Sequence, residues 1–206
     1  MPSYKTLKRS AFVFLVVSVP LSALAQSPLG SWQPTEEIKT YAIDGQTGAQ
    51  LYASMGDRGP VLAGGSRAIA HTTFKLTWTR KYEPKDGACT ITVARPKLII
   101  TYTLPKPSSK LPPALAASWS RFIKGVEAHE RVHGGYIKDL VHQIEAVSLG
   151  MTAPNDPSCQ KIRAQLTEKL GALSRAERQK NADFDRVEMS DGGNIHQLIL
   201  ALVNGP

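Results

Sequence analysis

The sequence predicts an α+β fold in which an antiparallel sheet packs on one long helix and a second long antiparallel helix braces it. Two changes of pattern carry this expectation. From Phe74 to Tyr102 apolar and polar residues mostly alternate, the period of half-buried strands, whereas from Pro112 the apolar residues recur at three and four, the period of a helix. A third observation gives the fold a purpose: His129-Glu130-Arg131-Val132-His133 lies in the middle of that helical stretch.

Taken in order, the first residues describe export. Lys5, Lys8 and Arg9 precede the apolar run AFVFLVVSVPLSALA, and Ala23-Leu24-Ala25 is a small-x-small cleavage site, so residues 1–25 are expected to be a signal peptide cleaved after Ala25. Pro20 interrupts the run, which is short for a membrane span, and no span is expected once the leader is gone. Residues 26–206 are then expected to form a single domain, exported to a periplasm or secreted. Losing the three basic residues of the leader lowers the formal charge from +8 to +5. The remaining basic residues are scattered, with no Cys/His finger, basic helix or RNA-binding aromatic signature, so nucleic acid is not an expected partner. The sequence carries no signal for an oligomeric state. Cys89 and Cys159 are the two cysteines, and an even count behind an export signal predicts a disulfide.

Within the domain, IKTYAI reads as a short strand and GQTGAQLYASMG as a short helix ended by Gly56, followed by the loop DRGPVLAGGSR. In AIAHTTFKLTWTRKYE, Phe74, Leu76 and Trp78 alternate with Lys75, Thr77 and Thr79. CTITVARPKLIITYTLP continues the sheet, with Cys89, Ile91 and Val93 in one phase and Leu98, Ile100 and Tyr102 in the other; that slip predicts a bulge around Arg95-Pro96. The long helix starts at Pro112-Pro113 and stops at Gly150, with an apolar stripe from Leu115 to Val147. Asn155-Asp156-Pro157 opens the second helix, Asp156 as its cap, and Ile162, Leu166, Leu170 and Leu173 carry it to about Asp185. The tail IHQLILALV suits a strand or a short helix.

Residues four apart on a helix lie about 40° apart on one face, so His129 and His133 can aim their imidazoles at one point, which suits Zn²⁺. Glu130, beside the first histidine, is placed to act as a general base toward water activated there. The spacing leaves the third ligand open. Asp139 serves only if the helix breaks at Gly134-Gly135, and His142 lies on the opposite face. From a second antiparallel helix, Glu177 would stand level with the motif, with Asp183, Asp185 and Asp191 further along. His71, on the strand before the site, can support the metal ligands from behind or be merely a cross-strand residue, and the second reading is preferred. The two glycines cost on the order of 2 kcal/mol in a helix, which calls for a bend, a close approach or packing on the second helix.

The chain resembles the DUF922 family of bacterial exported proteins, described as predicted zinc-dependent proteases. The resemblance runs through YAIDGQTGAQLYASMGDRGP, AHTTFKLTW, Cys89, AASWSRFIKGVEAHERVHG, Cys159 and the FDR triplet at 184–186. It implies a zincin-like metallopeptidase acting on a peptide or protein, with His129, His133 and Asp185 as metal ligands and Glu130 as the base. The family's C-terminal pattern resembles Tyr-Asp-x-x-Thr-x-His-Gly. Here Phe184 replaces the tyrosine, and Ser190 or Asp191 stands where a histidine is expected. The departure leaves a second expectation in play, a non-catalytic metal-binding or structural envelope protein on the same scaffold, and a third, a partner-binding domain that holds no metal.

Overall fold

The computed structural model describes residues 32–205; the expected signal peptide lies outside them. Eight elements follow in order: β1 (Thr35–Ile43), α1 (Gly48–Arg58), β2 (His71–Lys85), β3 (Ala88–Pro107), α2 (Pro113–Ser148), β4 (Thr152–Ala153), α3 (Gln160–Met189) and α4 (Asn194–Val203). The α+β class holds, with one sheet and four helices among the described residues, and the tail takes the helical option, packing as α4 on the other three helices.

The sheet is mixed and not purely antiparallel. β2 and β3 form a hairpin on the Asp86-Gly87 turn, both residues at positive φ (51° and 79°), as a two-residue turn between twisted strands requires. That leaves the other edge of β3 for β1, which runs parallel to it from Thr35 opposite Ile99 to Ile43 opposite Pro107. α1 carries the chain away from the end of β1, so no tight turn imposes an antiparallel pairing there. Alternation reveals which face is buried and is blind to strand direction, which is why the sequence pattern missed this. The bulge exists but lies earlier than Arg95-Pro96: the register slips between Lys81 and Tyr82, opposite Val93 and Ile91, and Ala94 already shares the inward phase of Leu98 and Ile100.

α1 runs past Gly56 and ends before Gly59. A side chain at Gly56 would meet nothing, so this glycine costs the helix only about 1 kcal/mol. At Gly59 a Cβ would collide with the Ala68 and Met55 carbonyls, and its N–H bonds Met55 O at 2.8 Å, closing the helix.

α2 lies across the sheet, where Leu98, Ile100 and Tyr102 of β3 meet Ile137 and Val141, all nearly inaccessible. Burial of each such side chain stabilises the fold by about 1.5–3 kcal/mol. A second cluster joins α1, α2 and α4 through Leu51, Met55, Phe122, Val126, Ile195 and Leu202. A third joins β3 to α3 through Cys89, Ile91, Ile162 and Leu166, and there Cys89 and Cys159 form the expected disulfide. Asp156 caps α3 with its side chain, accepting from Gln160 N, Lys161 N and Ile162 N, although the turn between them places Cys159 at the first helical boundary.

The helix is unbroken at Gly134-Gly135, and the two glycines differ. A Cβ on Gly134 would run into the hydroxyl end of Tyr102, a fully buried ring of β3, whereas one on Gly135 would meet nothing within 4 Å. The close approach comes from a strand side chain, not from backbone, substrate or the second helix. Gly134→Ala is therefore expected to cost about 1–3 kcal/mol through overpacking, and Gly135→Ala to gain up to about 1 kcal/mol from helix propensity. Denaturant unfolding of the two variants checks the opposite signs; equal shifts would refute the assignment of the contact.

Candidate metal centre

The central turns of α2 and the last turns of α3 face each other, and three side chains meet between them. His129 Nε2 and His133 Nε2 are 3.1 Å apart, and Asp185 Oδ1 lies 3.1 Å from the first and 2.9 Å from the second. Donor atoms held tetrahedrally about 2.0–2.1 Å from a zinc ion are about 3.3 Å from one another, so this triangle is within a few tenths of an ångström of one tetrahedral face. The set could hold a metal ion. Two imidazoles and a carboxylate suit zinc and several other first-row metals.

The surroundings decide which ring nitrogens are bare. Asn181 Nδ2 donates to Glu177 O (2.8 Å) and Glu177 Oε1 (2.6 Å), which turns its Oδ1 toward His133 Nδ1. His133 Nδ1–H then donates to that oxygen, and a neutral ring presents an unprotonated Nε2 to the centre. Among the described residues His129 Nδ1 is buried with no hydrogen-bond partner, and it stands 3.7 Å from Glu188 Oε2. Phe184 stacks on the His129 ring at 4.7 Å and meets His133 edge-on at 5.3 Å, so the phenyl group at the tyrosine's place orients both imidazoles.

A lone pair on each Nε2 facing a carboxylate oxygen is unfavourable without a cation or a proton between them. Burial lowers the His133 pKa, but Asp185 and Asn181 more than offset this and the net direction is upward. Burial pushes the Asp185 carboxyl up, and its bonds to His129 and His133 win, holding it well below the usual carboxylate range. The triangle is a place that selects positive charge.

Glu130 sits beside it, 5% exposed, its Oε2 accepting from Thr72 Oγ1 of β2 at 2.6 Å. The same hydroxyl reaches Glu130 O at 3.1 Å, pinning the edge strand to the helix. A cavity of about 490 Å³ opens over the three metal-ligand candidates and Glu130, and His71, Thr72 and Phe74 of β2 line it.

Other sequence candidates fall elsewhere. Asp139 pairs with Lys180 at 3.5 Å, and Asp183 with Arg186 at 3.5 Å. Asp191 is exposed beyond the end of α3, and His142 packs at a tilt against Trp32, their ring centroids 4.5 Å apart. Glu177 buttresses Asn181 and does not reach the triangle, because α3 opens at Gln160 and the helix pair is offset, setting Asn181 level with His133 and Asp185 level with His129. His71 does stand opposite Thr103 across the strands, and it also faces the cavity.

A family model described as a bacterial protein of unknown function, DUF922, matches residues 38–193. The chain belongs to the DUF922 family. The matched stretch runs from β1 to the turn after α3 and takes in every residue of the centre. No curated protein and no solved structure matches the chain. For this DUF922 chain, sequence reasoning missed Thr72, Asn181 and Glu188. A signal for two of them was present: Glu177, Asn181, Asp185 and Glu188 recur at four, four and three along α3, a polar stripe on one helix face.

Proposed function

We propose that this protein is an exported zinc-dependent metallopeptidase that hydrolyses peptide bonds in peptides or proteins. The observation that carries the reading is the three-donor triangle of His129, His133 and Asp185, open on its cavity side and flanked by the buried carboxylate of Glu130. Zinc, when bound, supplies a Lewis acid that brings the pKa of water toward neutrality and polarises a carbonyl.

The chain's own residues do the rest. His129 and His133 present Nε2, Asn181 keeps the proton of His133 on Nδ1, and Phe184 packs face-on against the His129 ring and edge-on against that of His133. Glu130 takes the proton from water and returns it to the leaving amine. Thr72 steadies that carboxylate through Oε2. A long helix bearing the histidines under an edge strand agrees with a zincin-like arrangement. No helix among the described residues is long and apolar enough to cross a membrane, and the disulfide suits an oxidising compartment outside the cytosol.

The test is incubation of zinc-loaded residues 26–206 with a mixed peptide library. Cleavage that disappears on chelation and returns with stoichiometric zinc is the expected result. An unchanged library would leave the non-catalytic metal-binding role and contradict the enzyme.

A further inference from the structure

Beyond Glu130 the cavity continues into an apolar recess of about 310 Å³. The two spaces share His129, Glu130, Leu62, Ala68, Ala70 and Met189, so the buried carboxylate stands at the junction between them. Val126 of α2 and Ile195 of α4, each 2% exposed, together with half-buried Ile199, form apolar walls of the recess. Its charged side chains besides Glu130 and His129 reduce to Arg67, whose Nη1 is committed to Gly59 O at 2.7 Å. The recess therefore has few groups able to satisfy a polar visitor, and an apolar one would shed water without loss.

We infer that this recess takes a leucine- or phenylalanine-sized apolar side chain of the peptide, next to the bond held over Glu130. The inference rests on the peptidase reading, which supplies the peptide; the continuity of the two cavities supplies the position. A chain lying along β2 past Thr72 and Phe74, with its carbonyl at the metal centre, passes the junction at Glu130, where one side chain can turn into the recess. Leucine in place of alanine in such a pocket should be worth at least about tenfold, since even one methylene is worth about 10–200-fold.

The probes are two short peptides ending in a metal-chelating hydroxamate, identical except for leucine or alanine at the adjoining position. Their affinities for the zinc-loaded protein are measured by calorimetry. The leucine probe should bind about tenfold tighter or more. Two variants fill the recess from residues that line it and not the space over the metal centre, Ile199→Phe and Ile69→Phe; zinc content and thermal unfolding report whether each keeps its fold. In a folded, zinc-replete variant the preference should shrink toward unity while the alanine probe binds as before. Equal affinity of the two probes for the wild type, or a preference that survives both variants, would overturn the recess. Binding of neither probe would overturn it together with the metal centre. Hydrolysis is scored separately: discrimination between the probes with no peptide cleaved would sink the peptidase reading and leave the recess as a side-chain pocket.

Discussion

Glu130→Gln is expected to retain the metal and lose about 10²–10⁴-fold in peptide hydrolysis, the usual contribution of a positioned general base. The amide has the shape of the carboxylate, and its oxygen can still accept from Thr72 Oγ1, so neither the helix nor the pinning of β2 should change. What it cannot do is accept a proton. The ligands belong to other residues, so metal content should match the wild type. Unchanged turnover in a zinc-replete variant would show that Glu130 is not the base, and loss of metal would show that it helps hold the centre.

Removing the Cys89–Cys159 disulfide is the largest stability change expected. It closes a sequence separation of 70, for which chain entropy alone amounts to about 4 kcal/mol, within the 2–5 kcal/mol typical of native disulfides. Both sulfurs also belong to the cluster formed with Ile91, Ile162 and Leu166, so serines there would introduce buried hydroxyls among apolar groups. For a protein of this size such a loss lowers the midpoint of thermal unfolding by on the order of 10 °C. The check is calorimetry of the Cys89→Ser/Cys159→Ser variant beside the oxidised wild type. A midpoint within a degree or two would mean that the β3–α3 corner is held by packing and by the Asp156 cap, with the covalent link adding little.

The residues differ in how far the sequence alone located them. α2 was legible from end to end because its signals are local: two prolines at the start, a glycine at positive φ just past the end, and apolar residues at helical spacing between them. His129, Glu130 and His133 came with it, since one turn of helix sets their mutual geometry. Asp185 was not legible in that way. Its place depends on where α3 begins relative to α2, a tertiary offset that no periodicity encodes; spacing favoured Glu177 and left Asp185 as one of three aspartates further along, from which the resemblance to the family singled it out.

The same distinction explains the other differences. The phase slip in β3 was visible, but its position depended on reading Val93 as inward, and the backbone places the slip at Thr92, between Ile91 and Val93 and ahead of Arg95-Pro96. The parallel pairing of β1 and the contact between Gly134 and Tyr102 are long-range facts, set by which strand edge remains free and which ring needs room. Thr72 lies 58 residues before Glu130, and nothing in either neighbourhood announces the bond between them.

The most direct test of the central claim is zinc content by elemental analysis of purified residues 26–206, beside the His129→Ala/His133→Ala variant. Near one zinc per wild-type chain, absent from the variant, is the predicted result. No zinc in either after incubation with the metal and removal of the excess would contradict it: the triangle would then be two histidines hydrogen-bonded to Asp185, and the peptidase reading would fall with the metal.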